Sequence, residues 1–221
     1  MVRTNFGAMR CHLLLALLAA SLLAPRAGRA SDGVELGFTP LCDGKTFNGW
    51  KRAEESPNTW TIQDGAFVAH GARCHLFYVG DPKPFKDFDL KVDVMTKPGS
   101  NGGIYFDTKY QAQGWPKTGI ECQVNNTHSD WIRTGSLYGL VNIARSPAQD
   151  NKWWTQEIIV RGRTVTVLVD GRRIFEYREP PGVEAEKNFG RKLCGGTFAL
   201  QGHDPNSTVY YKNIRVKRLD K

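Results

Sequence analysis

The sequence predicts an all-β sandwich or jelly roll with largely antiparallel sheets. Three observations predict it. Short segments with strand-type alternation recur along the chain, tight-turn pairs join several of them, and no stretch after residue 30 carries the period of a long amphipathic helix. So many short strands in one chain of 221 residues imply two curved sheets burying a single layer between them.

Thr59–Gln63 and Ala66–Ala69 are expected to form a hairpin, because Asp64-Gly65 between them supplies the positive backbone angles of a tight turn. Leu76–Val79 follows as a short apolar strand. In Phe88–Met95 the residues Phe88, Leu90, Val92 and Val94 alternate with Asp89, Lys91 and Asp93, which puts a core face and a wet face on one strand. Gly99-Ser-Asn-Gly-Gly103 precedes a strand, Gly103–Asp107, and no helix, so it reads as a turn and not as a phosphate cradle. Ile120–Val124 and Leu137–Leu140 are the next two strands. Glu157–Arg161, Thr164–Val169 and Arg173–Tyr177 form a meander turned at Gly162 and at Asp170-Gly171. Residues 179–192, rich in Pro, Gly and charge, read as a long loop, and Thr197–Gln201 and Val209–Lys217 complete the set.

Residues 1–30 have the layout of a secretory signal. Arg3 and Arg10 precede the apolar run 13–24, and Pro25 and Ala27-Gly-Arg-Ala30 follow it. Twelve uncharged residues fall short of the roughly 20 that span a bilayer, so export to the periplasm or the exterior is expected, with cleavage after Ala30 and no membrane association afterwards. Residues 31–36 are then a flexible lead-in, and 37–221 a single domain.

Losing that segment, with its four arginines and no acid, takes the formal net charge from +8 to +4. The remaining bases are interleaved with acids, which disfavours nucleic acid as a partner. Cys42, Cys74, Cys122 and Cys194 survive cleavage. Their wide spacing argues against zinc and for at least one disulfide in an exported chain, with three possible connectivities.

The candidate site comes from polar residues inside apolar strands. In Gly119-Ile-Glu-Cys-Gln-Val124, alternation puts Glu121 and Gln123 on one face and Ile120, Cys122 and Val124 on the other. In Phe198-Ala-Leu-Gln-Gly-His203, Gln201 and His203 share a face opposite Leu200. Buried polar groups cost free energy unless paired, so a sheet face with a Glu, two Gln and a His implies a solvated concave surface.

Further residues in fixed order extend the pattern. They are Phe38-Thr-Pro-Leu-Cys-Asp-Gly-Lys45 with Gly49-Trp50, Trp60-Thr-Ile-Gln-Asp-Gly65, Asn101-Gly-Gly-Ile-Tyr-Phe106, Thr134-Gly-Ser-Leu-Tyr-Gly139, Trp153 with Glu157-Ile158, and Asn213-Ile-Arg215. With the two strands above, this set resembles the 3-keto-disaccharide hydrolase domain family, formerly a domain of unknown function. The resemblance runs from about Gly37 to Leu219 and implies a concanavalin A-like (lectin/glucanase) sandwich. It implies cleavage of 3-keto-glycosides or disaccharides, in which a base removes the acidified hydrogen on sugar carbon 2, the aglycone leaves carbon 1 and water adds. On that reading Glu121 and His203 are the candidate catalytic groups. Asn101, Asp107, Gln123, Tyr138 and Gln201 would bind substrate. A divalent cation held by Glu121, Asp107 and His203 would suit an enolate, but no spacing demonstrates a metal site.

Two departures stand out. Asp107 replaces an Arg common at the end of its strand, and Trp153-Trp154 replaces Trp-Asn. Either the substrate differs from the family's usual one or the fold persists without the reaction. The alternative from another class is a non-catalytic, lectin-like module using the same face, for which the six Trp and seven Tyr supply sugar platforms. A glycosidase of the paired-carboxylate type is disfavoured, since Gln123 and no acid stands two residues after Glu121.

Overall fold

The computed structural model describes Met1 and residues 35–219, so the proposed signal segment lies outside the described residues. Among the described residues, thirteen strands and one 3-10 turn account for the regular structure. They are β1 (Thr39–Pro40), β2 (Trp50–Arg52), β3 (Trp60–Gln63), β4 (Ala66–His70), β5 (Cys74–Tyr78), β6 (Phe88–Thr96), β7 (Asn101–Thr108), β8 (Ile120–Asn125), β9 (Trp154–Arg161), β10 (Thr164–Val169), β11 (Arg172–Arg178), β12 (Thr197–Gly202) and β13 (Thr208–Arg218). One sheet runs β11-β10-β9-β6-β13-β4-β3 with β1 beside β13, and the other runs β2-β5-β12-β7-β8. Every strand pairing is antiparallel. The all-β sandwich expected from alternation is therefore the fold found.

Turn chemistry acts where the sequence put it. Asp64 and Gly65 have φ of 48° and 77°, and Asp170 and Gly171 have 50° and 72°, the paired left-handed angles that match hairpin twist. Alternation fills the core. Phe88, Leu90, Val92 and Val94 of β6 are buried against Phe106 of β7 and Phe198 of β12, with Phe88 and Phe198 rings 5.1 Å apart at 77°.

One expected strand is absent. Leu137–Leu140 forms a tight loop in which the Leu137 N–H donates to Val141 O at 3.0 Å and Gly139 takes φ of 75°, leaving isolated bridges from Leu137 to Cys122 and to Val141. Leu137 is buried and Leu140 half-buried because the loop folds over the β8 edge, and such burial imitates a strand pattern. Two short strands, β1 and β2, carry too few residues for any period to announce them.

The disulfide expectation is also corrected, because all four cysteines are free thiols. Cys74 and Cys122 sit in β5 and β8 of one sheet, with β12 and β7 between them. Three strand spacings of about 4.8 Å exceed the roughly 7 Å that a bridge can span. Three of the thiols have local partners instead: Gln156 Nε2 donates to Cys122 Sγ at 3.0 Å, Cys74 Sγ lies 3.6 Å from Ala53 O, and Cys194 Sγ lies 3.3 Å from Asp107 O.

The five-stranded sheet is buried on both faces where it matters. All eight residues of β7 are buried. Gly102 and Gly103 there have opposite uses. A Cβ on Gly102 would meet the Tyr211 hydroxyl, which rises from β13 through the core to donate to Gln201 O at 3.0 Å. A Cβ on Gly103 would meet the Glu121 carboxylate on the outer face.

Candidate active site

The outer face of the five-stranded sheet is floored by side chains that alternation delivers from three strands. Asn101, Gly103 and Tyr105 come from β7, Glu121 and Gln123 from β8, and Gln201 from β12. Register sets Tyr105 beside Glu121 and Gly103 beside Gln123. They bound a cavity of about 240 Å³, closed by Trp115, Asp130, Tyr138, Phe189 and His203 from loops. That volume lies just below the range of about 300–1,000 Å³ of drug-sized sites and suits one sugar ring better than a glycan chain.

Glu121 is the electrostatic centre. Its Oε2 accepts from the Tyr105 hydroxyl at 2.8 Å and its Oε1 from Gln201 Nε2 at 2.8 Å. The second bond crosses β7 from β8 to β12, which the missing side chain of Gly103 permits. Burial pushes the carboxyl from 4.5 up to about 7, against the opposing pull of the Tyr105 and Gln201 hydrogen bonds. A carboxyl poised there exchanges a proton near neutrality.

Two floor amides use only their nitrogen end. Gln123 Nε2 donates to Asn101 Oδ1 at 2.9 Å and Gln201 Nε2 to Glu121, while Gln123 Oε1 and Gln201 Oε1, both buried, bond to nothing in the protein. Unsatisfied buried acceptors cost about 1–3 kcal/mol each.

His203 follows the last residue of β12 and reaches the cavity rim, its ring 5.2 Å from that of Trp115. Its Nδ1 lies 2.7 Å from Asp204 Oδ2. Tyr138 lines the cavity from the tight loop after β8, its N–H donating to Glu121 O at 3.0 Å. Six of the seven residues expected from the sequence thus surround one cavity: Glu121, His203, Asn101, Gln123, Tyr138 and Gln201.

Asp107 does not, which corrects its expected place beside the substrate. The pairing Thr197↔Thr108 and Ala199↔Tyr105 sets an extra residue in β7 against β12, a bulge at which Asp107 adopts a φ of 56°. The carboxylate turns away from the floor, and its Oδ2 accepts from the Cys194 N–H at 3.0 Å. It lines a separate hollow with Lys86, Asp87 and Cys194, and burial pushes its pKa up to about 6.

The cation set of Glu121, Asp107 and His203 therefore does not assemble. Among the described residues another trio, His128, His203 and Asp204, has ligand atoms within 4.8 Å of one another. It fits a metal poorly. The Asp130 N–H donates to His128 Nδ1 at 3.0 Å, so the His128 proton sits on Nε2, the atom that faces Asp204 Oδ2 at 3.9 Å. A metal would need that lone pair.

Sequence reasoning missed several contributors. Tyr105 was within reach, because alternation from Gly103 puts it on the polar face. His75, opposite Gln201 on β5, is fully buried with neither ring nitrogen paired, its ring 5.5 Å from those of Tyr105 and Trp115. Desolvation pushes its pKa down to about 3, so it is a neutral imidazole within the floor, on the same face as Gln201. His128, Asp130 and Asp204 are loop residues whose positions no local period encodes.

Comparison with known proteins bears on the family and the fold. A family model described as a 3-keto-alpha-glucoside-1,2-lyase-like domain matches residues 37–217. A curated 3-keto-disaccharide hydrolase of Bacteroides thetaiotaomicron is 26% identical over 232 residues, covering 83% of this chain and 79% of its own length. A crystal structure from Parabacteroides distasonis, provisionally described as a glycosyl hydrolase, superimposes with a TM-score of 0.69 at 23% identity over 83% of this chain and 94% of that one. The carbohydrate-binding module CBM66 of Bacillus subtilis shares the fold at a TM-score of 0.55 and 16% identity, over 76% of this chain and 95% of that one.

Proposed function

Since the chain belongs to the family of 3-keto-alpha-glucoside-1,2-lyase-like domains, we propose that it cleaves glycosides carrying a ketone at sugar carbon 3, by elimination followed by hydration. The observation that carries this reading is Glu121, a carboxyl near neutral pKa on the floor of a one-ring cavity. A ketone at carbon 3 acidifies the hydrogen on carbon 2. Ionised Glu121 takes that proton, and the electron pair is delocalised as an enolate. The enolate collapses to expel the oxygen on carbon 1, which leaves as an alcohol on taking a proton from solvent. Water then adds across the C1=C2 bond: His203 accepts its proton and returns it to solvent, and protonated Glu121 restores the hydrogen on carbon 2. One water is consumed, with no change of oxidation state. Gln123 and Gln201, which line the cavity, bind the sugar hydroxyls, and Asn101 orients Gln123.

A sugar-binding module has no use for a carboxyl held near neutrality, which favours the enzyme over the lectin-like alternative. We also propose, from the basic start, apolar run and small-residue end of residues 1–30, that this segment exports the domain.

The test compares the mature domain on a 3-keto glucoside and on its unoxidised parent, beside Glu121→Gln and His203→Ala. Turnover of the keto substrate alone, lost in folded Glu121→Gln, is the expected result. Glycan binding without turnover of either compound would replace this reading with the binding module.

A further inference from the structure

Asp204 lies just outside the cavity and has no role in the chemistry above. Its carboxylate collects more donors than a loop residue needs. Oδ2 accepts from the Ser207 hydroxyl at 2.7 Å and faces His203 Nδ1 at 2.7 Å, and Oδ1 accepts from the Asn206 N–H at 2.8 Å. His128, fixed with its proton on Nε2 by the Asp130 N–H, turns that proton toward the same Oδ2 at 3.9 Å. Burial alone would raise the pKa of this carboxyl, yet the bonds from Ser207, His203 and Asn206 hold it below the usual carboxylate value. An ionised carboxylate only accepts, so the bond to His203 has one polarity: Nδ1–H donates. Neutral His203 then carries its lone pair on Nε2, and among the described residues no group bonds to that atom.

We propose that Asp204 is a positioning residue that holds His203 as the Nδ1–H tautomer, with the Nε2 lone pair free for the reacting water. The inference rests on the assignment of His203 to the hydration step. In that step Nε2 gains the proton of the water that adds to carbon 1, the Nδ1–H···Oδ2 bond persists, and Asp204 stabilises the imidazolium without taking a proton. The Trp115 ring on one side and the His128 ring, at 5.6 Å and 65°, on another limit rotation of the imidazole. Together they fix both the tautomer and the plane of the base.

A two-bond ¹H–¹⁵N correlation spectrum of the full mature domain, histidine-labelled and assigned through His203→Gln, reads the tautomer directly. The wild type is expected to show His203 protonated at Nδ1. In Asp204→Asn the amide can donate to Nδ1, so the spectrum should shift to the Nε2–H form. On a 3-keto glucoside kcat should then fall on the order of 10²- to 10⁴-fold, with KM changed less than about threefold. Asp204→Glu, which keeps a carboxylate, should recover part of the rate. A wild-type His203 protonated at Nε2 would overturn the proposal, whether or not Asp204→Asn folds. So would full activity in an Asp204→Asn protein whose tautomer has switched. A wild type with the expected tautomer but no turnover of any 3-keto glycoside would instead defeat the proposed function and leave the tautomer assignment standing.

Discussion

At the scale of the residue, Glu121 joins stability to activity. Its carboxyl moves from 4.5 to about 7 because folding desolvates it. The folded state holds a proton that the unfolded chain releases, so stability falls as pH climbs from about 4.5 to about 7 and is flat above. Glu121→Gln removes that penalty while an amide still meets Tyr105 and Gln201. It should be more stable than the wild type at pH 8 by on the order of 1–3 kcal/mol, an advantage that disappears near pH 4 in paired thermal melts. The same variant should lose about 10²- to 10⁴-fold in kcat/KM. In the wild type, kcat/KM should rise with pH and level off above a midpoint near 7, and a profile flat between pH 5 and 9 would remove Glu121 as the base. Glu121, Gln123 and Gln201 were legible in the sequence because a period of two assigns faces without knowledge of the fold. Asp107 was misread for the same reason: one extra residue in β7 breaks the period, and nothing in Ile104-Tyr-Phe-Asp107 marks a bulge.

At the scale of the element, β7 is the strand the site depends on. Its Gly103 gives Glu121 the space to reach across to Gln201, so Gly103→Ala should push the carboxylate off the floor. We expect a loss of about 10²-fold in kcat/KM, with a stability cost of about 1–3 kcal/mol from overpacking. Kinetics read beside a thermal melt separate the two, because simple unfolding would abolish activity in proportion to the folded fraction. Of the strands, the long alternating ones and the Asp-Gly hairpins were legible almost to the residue, as at β10 (Thr164–Val169). Leu137–Leu140 was not, because an apolar loop folded over a sheet edge buries the same residues as a strand would. Its product, the placement of Tyr138 beside Glu121, comes from loop geometry and from pairing with β8.

At the scale of the molecule, the fold class followed from patterning, but the closing of the cavity did not. Trp115, Asp130, Phe189 and His203 arrive on loops far apart in sequence, and only the packed sandwich brings them together. The free thiols make a claim about the whole fold. Reductant should leave the melting temperature unchanged within about 1 °C, and thiol titration of the unfolded mature domain should find all four cysteines reactive. A melting temperature that drops on reduction would mean a bridge has formed. If residues 1–30 direct export, the protein recovered outside the cytoplasm should begin at Ser31 on N-terminal sequencing. The Tyr211 hydroxyl, meanwhile, comes from the opposite sheet and holds the backbone of Gln201 from beneath. The cavity floor is thus pinned to the far layer of the sandwich. Heat should therefore loosen the floor only as the two sheets part, so floor loss and unfolding are expected to share one midpoint.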